Sequence, residues 1–333
     1  EPYIPSGFEY IEGTVDTGYV IKDTTLGNEF VWIPVGTGTF TVYATSTNAE
    51  GKVRTSNEIT IEISELTRDV NGNDFTYTAW EEVEGDINDK KSIAYFKKSV
   101  FDNGGFYMGR YEMGMPGQES GDSPVLGIGS EYRNITGTPV CVANVMPWNY
   151  IDWDIAKENL ESMYNGEVQS AMVNSYARTT MINWIMDTGT KTLEELKAPH
   201  DYGNYSAGAE DMDYSFIGNY AISYSGEKEE MGRVSNYTNI MELSDYGIGY
   251  ILIPTGANTQ PEKRNQVNNV YDLAGNVAEW STEQRKDGTG HRKSGGDFTT
   301  YSFANPVIDN NNSIYRAGTE GDMVTSSRPI LYK

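Results

Sequence analysis

The sequence predicts an α+β fold of short irregular strands, two main helices and long ordered loops. Its 35 glycines, 24 tyrosines and 12 prolines fall among short alternating runs, as in a turn-rich chain. Helical spacing is confined to residues 153–189, whereas strand-like runs recur from end to end. No internal repeat, coiled coil or low-complexity linker interrupts the 333 residues, and 38% of them are hydrophobic. One domain spanning residues 1–333 with a sizeable core is therefore expected.

Near the N-terminus, Gly18-Tyr-Val-Ile-Lys22 and Phe30-Val-Trp-Ile-Pro-Val35 flank a Gly27-Asn28 turn and read as a hairpin, with Pro34 at a strand end or sheet edge. Phe40-Thr-Val-Tyr-Ala44 and Glu58-Ile-Thr-Ile-Glu-Ile63 alternate with period two around Asn48-Ala-Glu-Gly51. Residues 37–66 are thus expected to be an inserted β-hairpin. Residues 69–89 are polar and turn-rich and read as loop, and Gly105-Phe-Tyr-Met-Gly-Arg-Tyr-Glu-Met113 reads as a strand pair. Trp153, Ala156, Leu160 and Met163 recur at helical spacing behind Asp152, a candidate N-cap. Met172, Tyr176, Thr180 and Trp184 mark a second helix that Gly189 stops. Residues 200–246 show no period and read as irregular loops, after which Ile251-Leu-Ile-Pro254 returns to a strand.

A formal charge of −23, from 48 acidic against 25 basic residues, disfavours nucleic acid and anionic lipid as partners. The acidity is uneven: residues 281–333 carry seven Lys/Arg against six Asp/Glu, a nearly neutral end on an acidic body. The acidic pairs Glu81-Glu82 and Glu229-Glu230 read as solvated charge. Cys141, the only cysteine, excludes an intramolecular disulfide and reads as a small buried hydrophobe. No run approaches the roughly 18 apolar residues of a membrane span. A start at Glu1 without Met fits a processed or trimmed N-terminus.

Phe30-Val-Trp-Ile-Pro-Val35, Gly105-Phe-Tyr-Met-Gly-Arg-Tyr-Glu112, Tyr271-Asp-Leu-Ala-Gly-Asn-Val-Ala-Glu-Trp280, Ser294-Gly-Gly-Asp-Phe298 and Ser327-Arg-Pro-Ile-Leu331 follow one another in an order that resembles a known family. The chain resembles the formylglycine-generating-enzyme-like (sulfatase-modifying factor) branch of the C-type lectin fold, from about Ile4 to Lys333. It departs from that family at Ala278, where Trp is usual, at Ser294, where Arg is usual, and at Ser326-Ser327, where Gly-Phe is usual. The resemblance implies a structural Ca²⁺ held near Asn276, Val277 and Glu279, and hard oxygen ligands from a tight turn suit that ion. The other reading of these residues is that Asn276 bonds its own turn and Glu279 pairs with an arginine such as Arg328.

The same resemblance argues against catalysis. Formylglycine-generating enzymes use a pair of cysteines, and this chain has one, far upstream of the C-terminal motifs; a related sulfoxide-synthase branch uses several histidines, and only His200 and His291 exist here. No phosphate-binding loop, His-Glu-x-x-His or nucleophile elbow is present. No cofactor is required on this reading.

Many proteins with this resemblance are variable proteins of diversity-generating retroelements, in which adenine mutagenesis of Asn codons cannot yield Lys, Glu, Gln, Met or Trp. None of those five types occurs in the 19 residues from Asp297 to Tyr315, which are instead rich in Asn, Thr, Ser, Tyr and Phe; the other reading of the stretch is an ordinary Asn-rich loop. That mixture suits recognition, because Tyr and Phe give stiff contact area and the small polar residues adapt their hydrogen bonds. Candidate contacts are Asp297, Thr299, Thr300, Tyr301, Phe303, Asn305, Asn311, Asn312, Ser313 and Tyr315, within a displayed region 281–327. The expected function is non-enzymatic binding of a macromolecular ligand, a protein or cell-surface receptor, from an extracellular, cell-surface or virion location. The rival expectations are a formylglycine-generating-type oxidoreductase and a structural pilus or virion decoration subunit.

Overall fold

A computed structural model of the chain describes residues 2–36, 38–42, 45–47, 53–55, 59–73, 79–116, 135–197, 203–204, 221–225, 228–234, 250–256, 265–297, 321 and 324–333. The first half carries β1 (Phe8–Glu12), β2 (Val20–Asp23), β3 (Glu29–Pro34), β4 (Gly38–Val42), β5 (Thr45–Thr47), β6 (Val53–Thr55), β7 (Ile59–Ile63), β8 (Trp80–Glu81), helix α1 (Ile93–Asn103) and β9 (Gly105–Gly109). Then come α2 (Trp153–Glu161), β10 (Gln169–Met172), α3 (Ser175–Asp187), α4 (Leu193–Leu196), β11 (Ala221–Ser225), β12 (Lys228–Val234) and β13 (Tyr250–Leu252). The C-terminal part supplies β14 (Gln266–Val267), β15 (Val270–Tyr271), β16 (Ala278–Arg285), β17 (His291–Ser294), β18 (Thr325–Ser327) and β19 (Pro329–Tyr332). The architecture is α+β, with mostly antiparallel sheets and few helices.

The largest sheet has the order β1-β2-β3-β9-β19-β10. Strand β9 sits between β3 and β19, pairing Val31 and Ile330 with opposite sides of Met108, so N-terminal and C-terminal segments meet on one strand. Successive side chains of a strand point to opposite faces, and here both faces are buried. Val31, Ile33, Phe106, Met108, Ile330 and Tyr332 join a core that includes Phe96 of α1 and Met181 and Ile185 of α3. Phe30, Trp32, Tyr107 and Leu331 join a second core with Leu160 of α2, Trp148 and Trp280. Burial on both faces explains why Phe30-Val-Trp-Ile33 is continuously apolar rather than alternating.

The Gly27-Asn28 turn joins β2 to β3: Gly27 N–H donates to Asp23 O at 2.9 Å, and Asp23 N–H donates to Asn28 O at 2.8 Å. Pro34 ends β3, inside the sheet rather than at its edge. Within residues 37–66, β4 pairs with β7 and β5 with β6, all antiparallel.

Several expectations are corrected. A third long helix, α1, lies between the expected loop and the expected strand pair; Ser92 Oγ accepts from Tyr95 N–H at its start, and Gly104, at φ 73, ends it. Its apolar stripe is only Ile93, Phe96 and Val100, with Phe101 exposed on the outer side. Residues 105–113 hold one strand, not two, because the partners of β9 come from β3 and β19. Met172 ends strand β10, and the second predicted helix starts at Ser175 behind Asn174, whose side chain accepts from Ala177 N–H. Strands β11 and β12 lie within residues 200–246, and β11 also pairs with β13. No described helix is long and apolar enough to cross a membrane.

Candidate functional site

Strand β16 is the spine of the C-terminal region. It pairs antiparallel with β17, placing Glu279 opposite Ser294, and parallel with β18, placing Trp280 opposite Ser327. The turn before it requires two residues with left-handed backbone, Gly275 at φ 78 and Asn276 at φ 61. Glycine and asparagine are the residues that adopt this region at least cost. Gly275 N–H donates to Gly295 O at 2.8 Å, tying the turn to the end of β17. A Cβ at Gly275 would collide with the backbone of Asn204.

Asn276 is fully buried and has all four of its side-chain hydrogen-bonding positions filled. Its Oδ1 accepts from Ile253 N–H and Asn204 Nδ2, both at 3.1 Å, while Nδ2 donates to Glu112 Oε2 at 2.8 Å and Ile253 O at 3.2 Å. The asparagine therefore ties β16 to the 252–256 and 112 segments instead of bonding its own turn. Val277 N–H donates to Glu112 Oε1 at 3.3 Å. Both oxygens of Glu279 accept from guanidinium groups: Oε2 from Arg178 at 2.9 Å and Oε1 from Arg328 Nε at 2.8 Å. Arg328 also donates to Gly109 O at 3.0 Å and Tyr271 O at 2.7 Å.

Three carboxylates, Glu112, Asp272 and Glu279, and two guanidiniums, Arg178 and Arg328, thus share one buried region. Glu279 holds both cations. Glu112 receives only neutral donors, and desolvation pushes its carboxyl well above the usual range; the charges of Asp272 and Glu279 add to this, while Arg328 opposes it. Desolvation also raises Asp272, although Asn265 Nδ2 and Gly256 N–H, each donating at 2.8 Å, favour its ionised form.

Beside this region the chain leaves β17 through Gly295, Gly296 and Asp297 and returns at Gly321. Asp297 is buried, with 2% exposure. Gly321 N–H donates to Asp152 Oδ1 at 2.9 Å, and its Cα packs so closely on Ile151 that a Cβ would strike that residue's carbonyl. Asp152 occupies the N-cap position of α2 as expected, but its side chain holds Gly321 rather than capping the helix. Trp280 Nε1 donates to Ile151 O at 3.0 Å and Trp153 Nε1 to Ser281 O at 2.8 Å, so α2 is fixed to β16 next to that return. Trp153 stacks on His291, with ring centroids 3.4 Å apart and planes 6° from parallel. Burial lowers His291 to about 4.

Of the expected contact residues, Asp297 lies within the described residues and is buried. Thr299, Thr300, Tyr301, Phe303, Asn305, Asn311, Asn312, Ser313 and Tyr315 lie outside them. Of the expected cation ligands, Glu279 is engaged by two arginines and Asn276 by Glu112, Ile253 and Asn204. No group of three or more His, Cys, Asp or Glu among the described residues is arranged to hold a metal ion. Cys141 is fully buried, its thiol pushed up to about 12 by desolvation, and His200 lies outside the described residues.

The reading of Glu81-Glu82 as solvated charge is corrected for Glu82, which is buried. It accepts from Ser175 N–H at 2.7 Å, Ser175 Oγ at 2.9 Å and Thr282 Oγ1 at 2.7 Å. The side chains of Glu229 and Glu230 lie outside the described set. Sequence reasoning also missed Arg178, Asp272 and Glu112 as partners of the C-terminal motif. Glu112 and Asp272 stand within the quoted motifs, whereas Arg178 sits on a helix with no local sign of its role. No protein-family model matches the chain, and no curated protein matches it.

Proposed function

We propose that this chain is a non-enzymatic binding protein of C-type lectin type that presents residues 298–315 to a macromolecular ligand, with the buried Asp297 rooting the segment rather than meeting the ligand. The observation that carries the reading is the clamp at both ends of that segment. Gly295 O is bound to Gly275 N–H on one side, and Gly321 N–H to Asp152 Oδ1 on the other. A buried ion-paired frame joined in sequence to a segment rich in Tyr, Phe, Asn and Ser would divide labour as recognition loops do: the frame carries stability and the segment carries contacts. Of the departures from the family pattern, Ala278 is buried and Ser327 Oγ donates to Trp280 O at 2.9 Å, whereas Ser326 Oγ is buried without a hydrogen-bond partner among the described residues. On this reading the protein works at a cell or virion surface, binds a protein or cell-surface receptor, and belongs with the variable proteins of diversity-generating retroelements.

The burial of Cys141, whose thiol donates toward Glu29 O and Tyr111 O, favours binding over thiol-based oxidation. The diversification part is tested by sequencing the gene from related isolates. Amino-acid differences concentrated at adenine positions encoding residues 298–315, beside a reverse transcriptase gene, are expected; an even spread along the gene would sink it. The binding part is tested by replacing Thr299, Tyr301, Phe303 and Tyr315 together with Ala and probing an array of cell-surface proteins. The replacement should abolish array binding while leaving the melting temperature unchanged. Binding that survives it would place recognition elsewhere.

A further inference from the structure

We propose that Asn71 is a deamidation site whose conversion loosens the root of the 37–66 hairpin. The inference is independent of the binding reading. Asn71 and Gly72 are both exposed, at the tip of a turn closed by Asn73 N–H donating to Val70 O at 3.0 Å, with Gly72 at φ 77. The Gly72 N–H has no hydrogen bond among the described residues. That nitrogen is free to attack Asn71 Cγ. The new N–Cγ bond closes a succinimide, the Cγ–Nδ2 bond breaks, and Nδ2 leaves as ammonia with the proton from Gly72. Water then opens the ring at either carbonyl, giving aspartate or isoaspartate.

The chain contains two other Asn-Gly dipeptides, and the structure separates them. At Asn103-Gly104 both reacting groups are held: Asn103 Nδ2 donates to Ser99 O at 2.7 Å, and Gly104 N–H donates to Val100 O at 2.8 Å. Attack there first requires the end of α1 to open. Asn165-Gly166 is exposed, but it lies on the connection from α2 to β10, away from the hairpin.

What distinguishes Asn71 is its neighbour. Asn71 Nδ2 donates to Ser64 Oγ at 2.9 Å, while Ser64 Oγ and N–H donate to Asp187 Oδ2 at 2.7 and 3.0 Å. Ser64 O in turn accepts from Gly36 N–H at 3.3 Å, so Ser64 is where the two ends of the hairpin join the end of α3. A carboxylate at position 71 removes a donor and sets a second negative charge against a hydroxyl whose only proton already serves Asp187. One of the two bonds to Ser64 must then fail.

The test is to incubate the full chain in warm, mildly alkaline buffer, map peptides by mass, and label isoaspartate enzymatically. Asn71 should convert at least about tenfold faster than Asn103, since Asn103 reacts only through helix opening. No conversion at Asn71, or equal conversion at Asn103, would overturn the site. Its consequence is read by amide exchange in Asn71→Asp, Asn71→Gln and Asn71→Asp/Asp187→Asn. Faster exchange at Ser64 and Gly36 in the first, restored in the third, is expected. Exchange in Asn71→Asp equal to that of the unmodified chain would overturn the coupling.

Discussion

Arg328 holds Glu279 through one carboxylate oxygen: Nε donates to Oε1 at 2.8 Å, Nη2 lies 2.7 Å from the same oxygen, and both side chains are 1% exposed. Nη1 and Nη2 of the planar guanidinium donate to the backbone carbonyls of Gly109, Tyr271 and Asp272, which fixes its orientation as well as its charge and links β16 to the start of β19. Because Arg178 occupies the other oxygen of Glu279, the carboxylate is fully compensated, and removing either cation leaves buried charge behind.

Arg328→Met should therefore destabilise the fold by on the order of 3–5 kcal/mol, the range for breaking one side of a buried pair. Arg328→Lys should also be markedly destabilising, since a point charge cannot keep the Glu279 contact and reach Gly109 O and Tyr271 O together. Chemical denaturation measures both. Near-native stability in Arg328→Met would show that the frame does not depend on this contact.

Glu82 gives a pH dependence of definite sign. Burial raises its carboxyl from 4.5 to about 7, with Ser175 and Thr282 pulling down and Glu283 pushing up. A raised folded value means that stability is fully present at low pH and is lost as pH climbs from about 4.5 to about 7. The difference across this window is on the order of 3 kcal/mol for the isolated group. Glu82→Gln should flatten that part of the curve, as measured by denaturant midpoints across pH.

His291 should act in the opposite direction. Its folded value, about 4, lies below the ordinary 6.5, so its contribution is present above 6.5 and is lost as pH falls toward 4. His291→Phe keeps a ring on Trp153 and should remove this acid sensitivity. An unchanged acid limb in that variant would show that the stack does not hold the neutral imidazole.

Gly321→Ala should weaken the return clamp, because the added Cβ meets the carbonyl of Ile151. Overpacking of this kind costs about 1–3 kcal/mol. Protection of the Gly321 amide, which donates to Asp152, should fall in exchange measurements.

Much of the frame was legible in the sequence, for reasons specific to each element. The Gly27-Asn28 turn, the helix behind Asp152 and the burial of Cys141 follow from local residue types. The helix α1 was legible in principle, through Ile93, Phe96 and Val100 between Ser92 and Gly104, but a three-residue apolar stripe with an exposed Phe101 is a weak periodic signal. Strands β11 and β12 gave less, since a stretch rich in Tyr, Ser and Gly has no alternation to read.

The sequence by itself determined the α+β class, the motif residues Gly275 to Trp280, and a recognition-like composition from Asp297 onward, because these depend on residue type and local spacing. Only the tertiary structure decided which charges are buried and with whom. Glu82 meets Ser175 and Thr282, Glu279 meets Arg178 and Arg328, and the half-buried Asp152 meets Gly321. The reason is physical: removing a carboxylate from water is costly unless donors surround it, and those donors come from segments 49 to 200 residues apart, which no local pattern can join.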